Sequence, residues 1–337
     1  MPIDVHAHYV PPTILDEIDE RGARFGLSVV RHPPSCACAL HFNYGLKVRP
    51  FFPKLIEPVC DRIAAMEKQG ITRQVLSCWT DIFAYGLSLQ QAAEWHRFLN
   101  EHLAKLCASN PEQFSLLASV PLPYTQESAA ELDYAVRELG AVGAVLAANV
   151  EDTNLGEFDL DAFWQKVVEL NVGVFIHPVQ AQPVPRSAKF SLVQIAQYTV
   201  DTTLCVGSLI GAGVLDRFPN LRLLLSHGGG TFPYLTGRFD CMHERMDRKA
   251  QEDVARQPPS AYLKRFFYDS ILHDPSILRW LSQRVGTAQI VVGSDYSFPP
   301  ADLDPIGTVR AAGFSAEEIQ AICERNPRSL FPRLPDS

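Results

Sequence analysis

Four short fragments of the chain place a histidine or an aspartate at the end of an apolar run. The fragments are Asp4–His8, Val174–Pro178, Leu223–Gly230 and Ile290–Asp295. Runs of valine, isoleucine and leucine are typical of strands that are buried on both faces of a parallel sheet. Because the strands of a parallel barrel end at one shared rim, where catalytic residues collect, the fragments predict that these side chains converge on a single site.

The residue types in these fragments indicate a metal centre. Residues i and i+2 of a strand point to the same face, so His6 and His8 can offer two imidazoles to one ion. With His177 and Asp295 they make three neutral nitrogens and one carboxylate, a set typical of a catalytic Zn²⁺ site that keeps a position open for water or substrate. Another divalent ion, such as Mn²⁺, is also compatible with imidazole and carboxylate. Taken singly, each histidine is typical of a hydrogen-bonded core residue and Asp295 of a turn or helix cap, but the four together favour the metal.

His227 differs from the ligand candidates because it precedes three glycines, Gly228 to Gly230. Glycines let the backbone lie close to a ligand and offer amide donors to an anion. At the end of a barrel strand, His227 is predicted to be a general acid/base facing the metal rather than a further ligand. The alternative is that Ser226-His227-Gly228 only turns the chain into a helix. We count His227 and Asp295 as the catalytic residues.

Composition excludes several functional classes. The chain has 337 residues, 47% of them hydrophobic, with a formal net charge of −8 and a pI near 5.7, which argues against a nucleic-acid partner. No apolar stretch reaches the roughly 20 residues that cross a bilayer, and the N-terminus lacks the features of a signal peptide, so we expect a soluble cytoplasmic protein without membrane contact. Most of the eight scattered cysteines are expected to be free and buried, although Cys36 and Cys38 could form a soft-metal or redox pair.

Segments that resemble strands and helices alternate from about residue 58 onward, at the cadence of a parallel α/β fold. Eight strands are predicted, at 3–6, 73–78, 114–119, 144–147, 172–176, 221–225, 266–268 and 289–292. Helices are predicted at 58–68, 89–109, 127–139, 159–170, 192–209, 276–283, 302–312 and 316–325. The pattern predicts one domain, residues 1–337, folded as a distorted (β/α)8 TIM barrel. Residues 9–57 do not follow the cadence and are predicted to be an insertion after the first strand that acts as a lid or substrate wall.

The motifs together resemble one branch of the amidohydrolase superfamily, typified by α-amino-β-carboxymuconate-ε-semialdehyde decarboxylase. They occur in the family's order along the whole chain, as Asp4–His8, Ile176–Pro178, Ser226–Phe232, Gly237–Asp240, Arg265–Ser270 and Gly293–Tyr296. The resemblance implies that zinc is bound by His6, His8, His177 and Asp295, and that His227 handles protons near the metal.

The same resemblance implies that two arginines hold substrate carboxylates, one from the insertion and one from the other subunit of a homodimer. Arg49 and Arg238 stand in the matching contexts, and an arginine fork suits carboxylate recognition. The alternative for Arg238 is either a plain surface arginine or a structural ion pair with Asp240. Phe190 falls near a family aromatic that contacts substrate and is included as a substrate-binding residue. The cysteine- and proline-rich segment 31–43 departs from the family pattern, which leaves the exact substrate open.

The expected function is zinc-dependent, non-oxidative decarboxylation of a small aromatic or unsaturated, muconate-type carboxylic acid, without an organic cofactor. A metal-dependent hydrolase acting on a lactone, amide or ring-cleavage product, or a hydratase of a conjugated diacid, would use the same centre. A non-catalytic barrel that only binds its ligand is the third alternative. It is disfavoured because structural zinc is normally closed by four ligands, often cysteines, whereas this set leaves the ion open.

Overall fold

In this computed structural model, residues 1–32, 37–179 and 184–335 are described. The strands are, in chain order, β1 (Ile3–His8), β2 (Leu27–His32), β3 (Ala37–Phe42), β4 (Arg73–Ser77), β5 (Phe114–Ser119), β6 (Gly143–Ala147), β7 (Asn149–Val150), β8 (Thr153–Asn154), β9 (Gly173–His177), β10 (Arg222–Leu225), β11 (Phe266–Asp269) and β12 (Ile290–Val291). The α-helices are α1 (Pro12–Arg21), α2 (Val59–Lys68), α3 (Leu89–Ser109), α4 (Thr125–Arg137), α5 (Asp161–Leu170), α6 (Tyr198–Gly211), α7 (Val214–Arg217), α8 (Phe232–Arg245), α9 (Pro275–Val285), α10 (Pro305–Ala311), α11 (Ala316–Gln320) and α12 (Asn326–Leu330).

Eight of the strands form one parallel sheet in the order β1-β4-β5-β6-β9-β10-β11-β12. The last strand returns to the first, because Val5 N donates to Val292 O at 3.1 Å and Ala7 forms a parallel bridge with Tyr296. The predicted (β/α)8 barrel is therefore confirmed, and each of its eight strands coincides with a predicted one. We call the contact between β12 and β1 the seam of the barrel.

The barrel strands are apolar because both of their faces are covered. Leu223, Leu224 and Leu225 of β10 are all fully buried, as expected for a strand with the barrel interior on one side and helices on the other. The helices instead bury one stripe: α3 buries Trp95, Leu99 and its other inward residues at a spacing of three or four while it packs against β5. These periodicities explain why the sequence predicts the bounds of α3 to the residue.

Residues 9–57 contain α1 and an antiparallel hairpin of β2 and β3. The chain after the hairpin is tied to β3, since Val48 N donates to Leu40 O and Phe51 N to Cys38 O, both at 2.9 Å. This register carries Arg49 toward the barrel mouth. Cys36, and with it the suggested Cys36–Cys38 pair, lies outside the described residues.

Several helical regions differ from the sequence prediction, and α1, α7 and α12 lie outside every predicted helix. The predicted helix 192–209 begins with a π turn, Val193–Gln197, and becomes α-helical only at Tyr198. Helix α8 was not predicted, because three glycines and Pro233 precede or open it. Proline is tolerated there because the first turn of a helix has no intrahelical partner for its N–H. Within the described residues, no helix is both long and apolar enough to span a membrane.

Candidate metal centre and substrate cavity

The structure brings His6, His8, His177 and Asp295 together at the carboxyl ends of the barrel strands. All four are buried, and one ligand atom of each lies within 4.8 Å of the others. His6 Nε2 is 3.2 Å and His8 Nε2 is 3.5 Å from Asp295 Oδ1. The four side chains therefore converge in the folded chain, as the strand-end pattern predicts.

The backbone at the seam explains how the first and last strands can share one centre. Asp295 N donates to His6 O at 2.8 Å, and Asp295 itself adopts a left-handed backbone with φ of +53°. A Cβ on Gly293 would lie 2.9 Å from His6 Cβ, so only glycine allows the strand to come this close. Asp4 fastens the same contact, because Ser294 donates to its carboxylate from both N, at 3.1 Å, and Oγ, at 2.6 Å.

Each histidine of the cluster has a partner for its Nδ1 atom. His6 Nδ1 lies 2.6 Å from Asp269 Oδ2, His8 Nδ1 lies 2.9 Å from Ser77 Oγ, and His177 Nδ1 lies 2.8 Å from Pro178 O. A carbonyl or an ionised carboxylate only accepts, so Nδ1 of His6 and His177 carries the hydrogen. Outer hydrogen bonds of this kind fix the ring orientation and direct Nε2 toward the metal in metalloproteins.

The inner atoms of the cluster are left without hydrogen bonds. Nε2 of His6, His8 and His177 and Oδ1 of Asp295 are buried and form none within the described residues. Burying an unpaired polar atom is costly, so such atoms call for an explanation. Three imidazole nitrogens and one carboxylate oxygen, all facing one point, fit a divalent metal ion and explain why the atoms lack other partners.

The electrostatics of the cluster also favour a cation. Burial, together with the positive charge of His6, lowers the pKa of His8 to about 3, and burial lowers the pKa of His177 well below its ordinary value. Burial disfavours the charge of Asp295 as well, but His6 and His227 outweigh it and hold the pKa of Asp295 well below its usual range. His6 is the exception: Asp295 and Asp269 overcome burial and raise its pKa to about 10. Without an ion, the cluster thus keeps one positive charge, on His6, beside Asp295. A bound cation would supply that positive charge instead.

His227 lies at the edge of the cluster and is not one of its four members. Its Nε2 is 3.5 Å from Asp295 Oδ2, and its side chain is 16% exposed, more than any of the four buried residues. The backbone has φ of +53°, and Asp269 holds it there, accepting from His227 N at 2.9 Å and Gly228 N at 2.8 Å. A polar ring held at the edge of the centre and open to the cavity is suited to proton transfer.

A cavity of about 810 Å³ opens above the cluster, and His177, His227 and Asp295 form its floor. Aromatic residues form part of its walls. They are Phe52, Trp79, Tyr198 and Phe298. Cavities of this size that combine apolar or aromatic walls with a few directed polar groups are typical of sites for small molecules.

The three predicted substrate-binding residues are placed differently. Arg49 lines the cavity, and its Nη2 donates to Asp81 Oδ2 at 3.1 Å and to Tyr198 Oη at 3.2 Å. Arg238 is exposed on α8 and does not line this cavity, and it forms no ion pair with Asp240 or any other described residue. Phe190 is 83% exposed and also lies outside the cavity, whereas the next residue, Ser191, lines it. The structure therefore does not bring Phe190 or Arg238 to the site of their own chain.

Sequence reasoning missed the roles of three residues around the site. Asp269 ends β11 just as His177 ends β9, so the strand-end pattern that singled out the ligands could have found it. Asp81 and Tyr198 follow no such pattern. They reach Arg49 from a 3₁₀ turn after β4 and from the first residue of α6, and only the folded chain shows that contact.

Comparison with known proteins agrees with this architecture. Residues 3–333 match the family profile described as Amidohydrolase. A curated relative, the 2-amino-3-carboxymuconate-6-semialdehyde decarboxylase of Dictyostelium discoideum, is 30% identical over 333 residues, covering 98% of this chain and 89% of the relative. Further curated relatives also carry decarboxylase names. One is instead a 2-keto-4-carboxy-3-hexenedioate hydratase from a Sphingobium species, 29% identical over 72% of this chain and 73% of the relative.

Solved structures show the same fold. A dihydroxybenzoic acid decarboxylase from a Polaromonas species, crystallised with bound manganese and the inhibitor 2-nitroresorcinol, aligns with a TM-score of 0.76 at 20% identity, covering 99% of this chain and 98% of that one. The profile match over almost the whole chain, together with the identity to a full-length relative, shows that this chain belongs to the amidohydrolase family.

Proposed function

We propose that this chain is a metal-dependent, non-oxidative decarboxylase of a small aromatic or unsaturated carboxylic acid. The observation that carries the proposal is the set of four buried, unpaired ligand atoms beneath an aromatic-walled cavity. Full-length relatives that are themselves decarboxylases support the choice of reaction.

We propose His6, His8, His177 and Asp295 as the ligands and Zn²⁺ as the resident ion, with Mn²⁺ as the other candidate. Nitrogen-rich sets favour zinc, whereas the bound manganese of the Polaromonas decarboxylase supports the alternative. When bound, the ion supplies Lewis-acid polarisation of a substrate oxygen and so stabilises the negative charge that develops during the reaction.

His227 is proposed to move the proton that the reaction requires. Decarboxylation breaks the bond between the substrate carbon and its carboxylate, CO2 leaves, and the electron pair stays on the carbon, which then takes up one proton. His227 is placed for that transfer because its ring faces the cavity while Asp269 fixes its backbone. Asp295 contributes in two ways in this proposal, as a ligand and as the carboxylate that lies beside His227 Nε2.

Arg49 is proposed to bind the substrate inside the cavity. Its guanidinium lies 5.0 Å above the Phe52 ring and 5.4 Å from the Trp79 ring, which holds the group at the wall. A flat substrate ring between these aromatic walls would lie within reach of both Arg49 and the metal centre.

We propose that the protein is a homodimer and that Arg238 serves the cavity of the partner. Helices α6 and α8 contact each other, and several apolar side chains on them and on the turn before α6 are exposed. We call this region the α6–α8 face, with exposed Ile195, Val200, Leu204, Tyr234 and Met242. Exposed apolar patches of this kind mark protein–protein contacts.

The position of Arg238 supports the same dimer. On α8 it lies four residues from both Tyr234 and Met242, and therefore on the same side of the helix. Ile195 belongs to the α6–α8 face and also lines the cavity, so the mouth of the cavity opens beside this face. A partner docked here would bring its own arginine to the mouth. Phe190 is exposed and lies close to Ile195 in the sequence. We propose that its primary contact in this dimer is with the partner chain and that any contact with substrate is secondary.

Two further parts of the proposal concern the chain as a unit. We propose residues 1–337 as one metal-dependent domain in which residues 9–57 act as a lid, since Arg49 and Phe52 from this segment line the cavity. We also propose a cytoplasmic location. Six cysteines within the described residues are free, namely Cys60, Cys78, Cys107, Cys205, Cys241 and Cys323, which suits a reducing compartment.

Hydration of an unsaturated diacid is the second candidate, because one relative is a hydratase. The two reactions differ in product. Decarboxylation lowers the substrate mass by one CO2, whereas hydration adds one water and releases no gas.

The deciding experiment is a screen of aromatic and muconate-type acids with the purified protein, before chelation, after chelation, and after Zn²⁺ or Mn²⁺ is restored. We expect CO2 release that is lost with the ion and returns with it, and a product made in D2O that carries one deuterium on the carbon to which the carboxylate had been attached. A product heavier by one water would establish the hydratase instead. Ion-independent CO2 release would overturn the proposed centre.

A further inference from the structure

Arg49 does not face the cavity as an unpaired cation. Its Nη2 atom is shared between Asp81 and Tyr198, and the Asp81 carboxylate is only 9% exposed. Both partners also line the cavity. The wall at Arg49 is therefore a neutral arginine–aspartate pair capped by a phenol.

This pair limits what the Arg49 wall can bind. A substrate carboxylate placed on Arg49 would share one guanidinium with the buried carboxylate of Asp81, and two carboxylates at one cation repel each other. A neutral hydroxyl or amino substituent meets no such repulsion. It can donate to Asp81 and accept from Arg49.

The floor of the cavity is different in charge. There the metal ligands and His227 are set to receive an anionic group. A substrate in the cavity therefore meets a floor suited to an acid and, at Arg49, a neutral, hydrogen-bonding wall. The aromatic residues that line the cavity suit a flat ring.

We infer that Asp81 and Tyr198 restrict this enzyme to substrates with one acid group and a neutral hydrogen-bond-donating substituent directed at Arg49, and that they exclude dicarboxylates. The inference rests on the proposed function, because it takes the acid group of the substrate to lie at the metal centre. Asp81 is the specificity-determining residue. Tyr198 is a positioning residue that holds the guanidinium against it.

The test compares matched ligands that differ in one substituent. Each hydroxybenzoate isomer is paired with the benzenedicarboxylate of the same geometry, and binding to the metal-loaded protein is followed by stopped-flow tryptophan quenching before turnover. Trp79 lines the cavity and reports occupancy. We expect the best hydroxy acid to bind at least about tenfold more tightly than its dicarboxylate partner.

Asp81→Asn removes the charge with little change of shape, and we expect it to shift that preference toward the dicarboxylate by about tenfold or more. Asp81→Glu should keep the preference for the hydroxy acid. Asp16→Asn removes a charge from the exposed surface of α1, outside the cavity, and should leave both affinities unchanged.

A wild-type protein that binds dicarboxylates as tightly as hydroxy acids would overturn the inference, as would an unchanged preference in Asp81→Asn. These outcomes separate it from the proposed function. CO2 release from dicarboxylates alone would defeat the inference and leave the reaction standing. The expected preference without any CO2 release would defeat the reaction and leave the specificity of the cavity standing.

Discussion

At the residue scale, Asp269 connects the two halves of the proposed chemistry. One carboxylate oxygen accepts from His6 Nδ1 and His227 N, and the other accepts from Gly228 N. The same side chain therefore fixes the ring of a metal ligand and the backbone of the proposed acid/base. It is fully buried, so its partners cannot turn to water when it is altered.

We expect Asp269→Asn to weaken metal binding by about 10- to 100-fold, because the ring of His6 loses its charged acceptor. Affinity is measured by competition with a fluorescent chelator. Asp16→Asn, on the exposed surface of α1, serves as the control and should bind metal like the wild type. Unchanged affinity in Asp269→Asn would show that this hydrogen bond has no influence on the ion.

His227→Ala is expected to retain the metal and to lose about 10²- to 10⁴-fold in kcat, the usual contribution of a positioned general acid/base. His6→Ala and Asp295→Ala should lose the metal itself. Metal content by elemental analysis and turnover by CO2 release distinguish the two classes of variant. Full activity in His227→Ala would remove His227 from the mechanism.

The residue scale also shows how far sequence reasoning reaches. The four proposed ligands and His227 could be predicted because strand ends in a parallel barrel share a rim, a rule that depends only on local pattern. The contact of Arg49 with Asp81 and Tyr198 could not be predicted, because the positions of these residues depend on loops and helix ends rather than on a regular pattern. Phe190 illustrates the same limit, since the local fold exposes it and places its neighbour Ser191 at the cavity.

At the element scale, the barrel strands and most of the longer helices follow from hydrophobic periodicity, whereas α1, α7, α8, α12 and the hairpin of β2 and β3 do not. Glycine and proline at the start of α8 obscure its period, and the hairpin lies in a segment with no regular alternation. The π turn before α6 was read as ordinary helix because its composition is helical. Its position matters, since it carries Ile195 to both the cavity and the α6–α8 face.

Leu204→Glu on α6 is expected to dissociate the proposed dimer, because it places a charge in the centre of an apolar contact. Sedimentation velocity measures the mass. If the partner's arginine completes the cavity, turnover should fall with dissociation and should fall to a similar extent in Arg238→Ala. Leu89→Glu, at an exposed leucine of α3, is the matched control. A monomeric wild type with full activity would contradict both roles.

Asp201 gives α6 a pH-dependent stability. It accepts from Asn149 Nδ2 at 2.9 Å and from Val179 N at 3.2 Å, but burial dominates and raises its pKa to about 6. The folded state binds the Asp201 proton more tightly than the unfolded state does. The contribution of this proton to the free energy of unfolding is therefore complete below about pH 4 and is lost as the pH rises through about 6. The loss amounts to about 3 kcal/mol.

We therefore expect Asp201→Asn to gain stability relative to the wild type as the pH rises from 4 to 7, by up to about 3 kcal/mol. Urea unfolding at several pH values measures the difference. A difference that does not change with pH would show that Asp201 has an ordinary pKa in the folded protein.

At the scale of the whole molecule, the ion is expected to act as a stabilising ligand. Chelation leaves four buried ligand atoms without partners. At a free ion concentration of 100 times Kd, binding adds about 2.7 kcal/mol, or roughly 4 °C in Tm for a chain of this size. Scanning calorimetry with and without chelator checks the shift. His8→Ala should show none, and an unshifted wild type would mean that the centre binds no ion in the folded state.

The seam of the barrel has a consequence for how the protein is made. Asp4 and Ser294, and likewise His6 and Asp295, meet only when the last barrel strand has joined the first. A chain still on the ribosome holds three of the proposed ligands long before the fourth emerges. Ion loading is thus a late event in biosynthesis, and it reports that the ring of strands has been completed. Prematurely terminated products that end before residue 295 lack the carboxylate and should fail to acquire the ion.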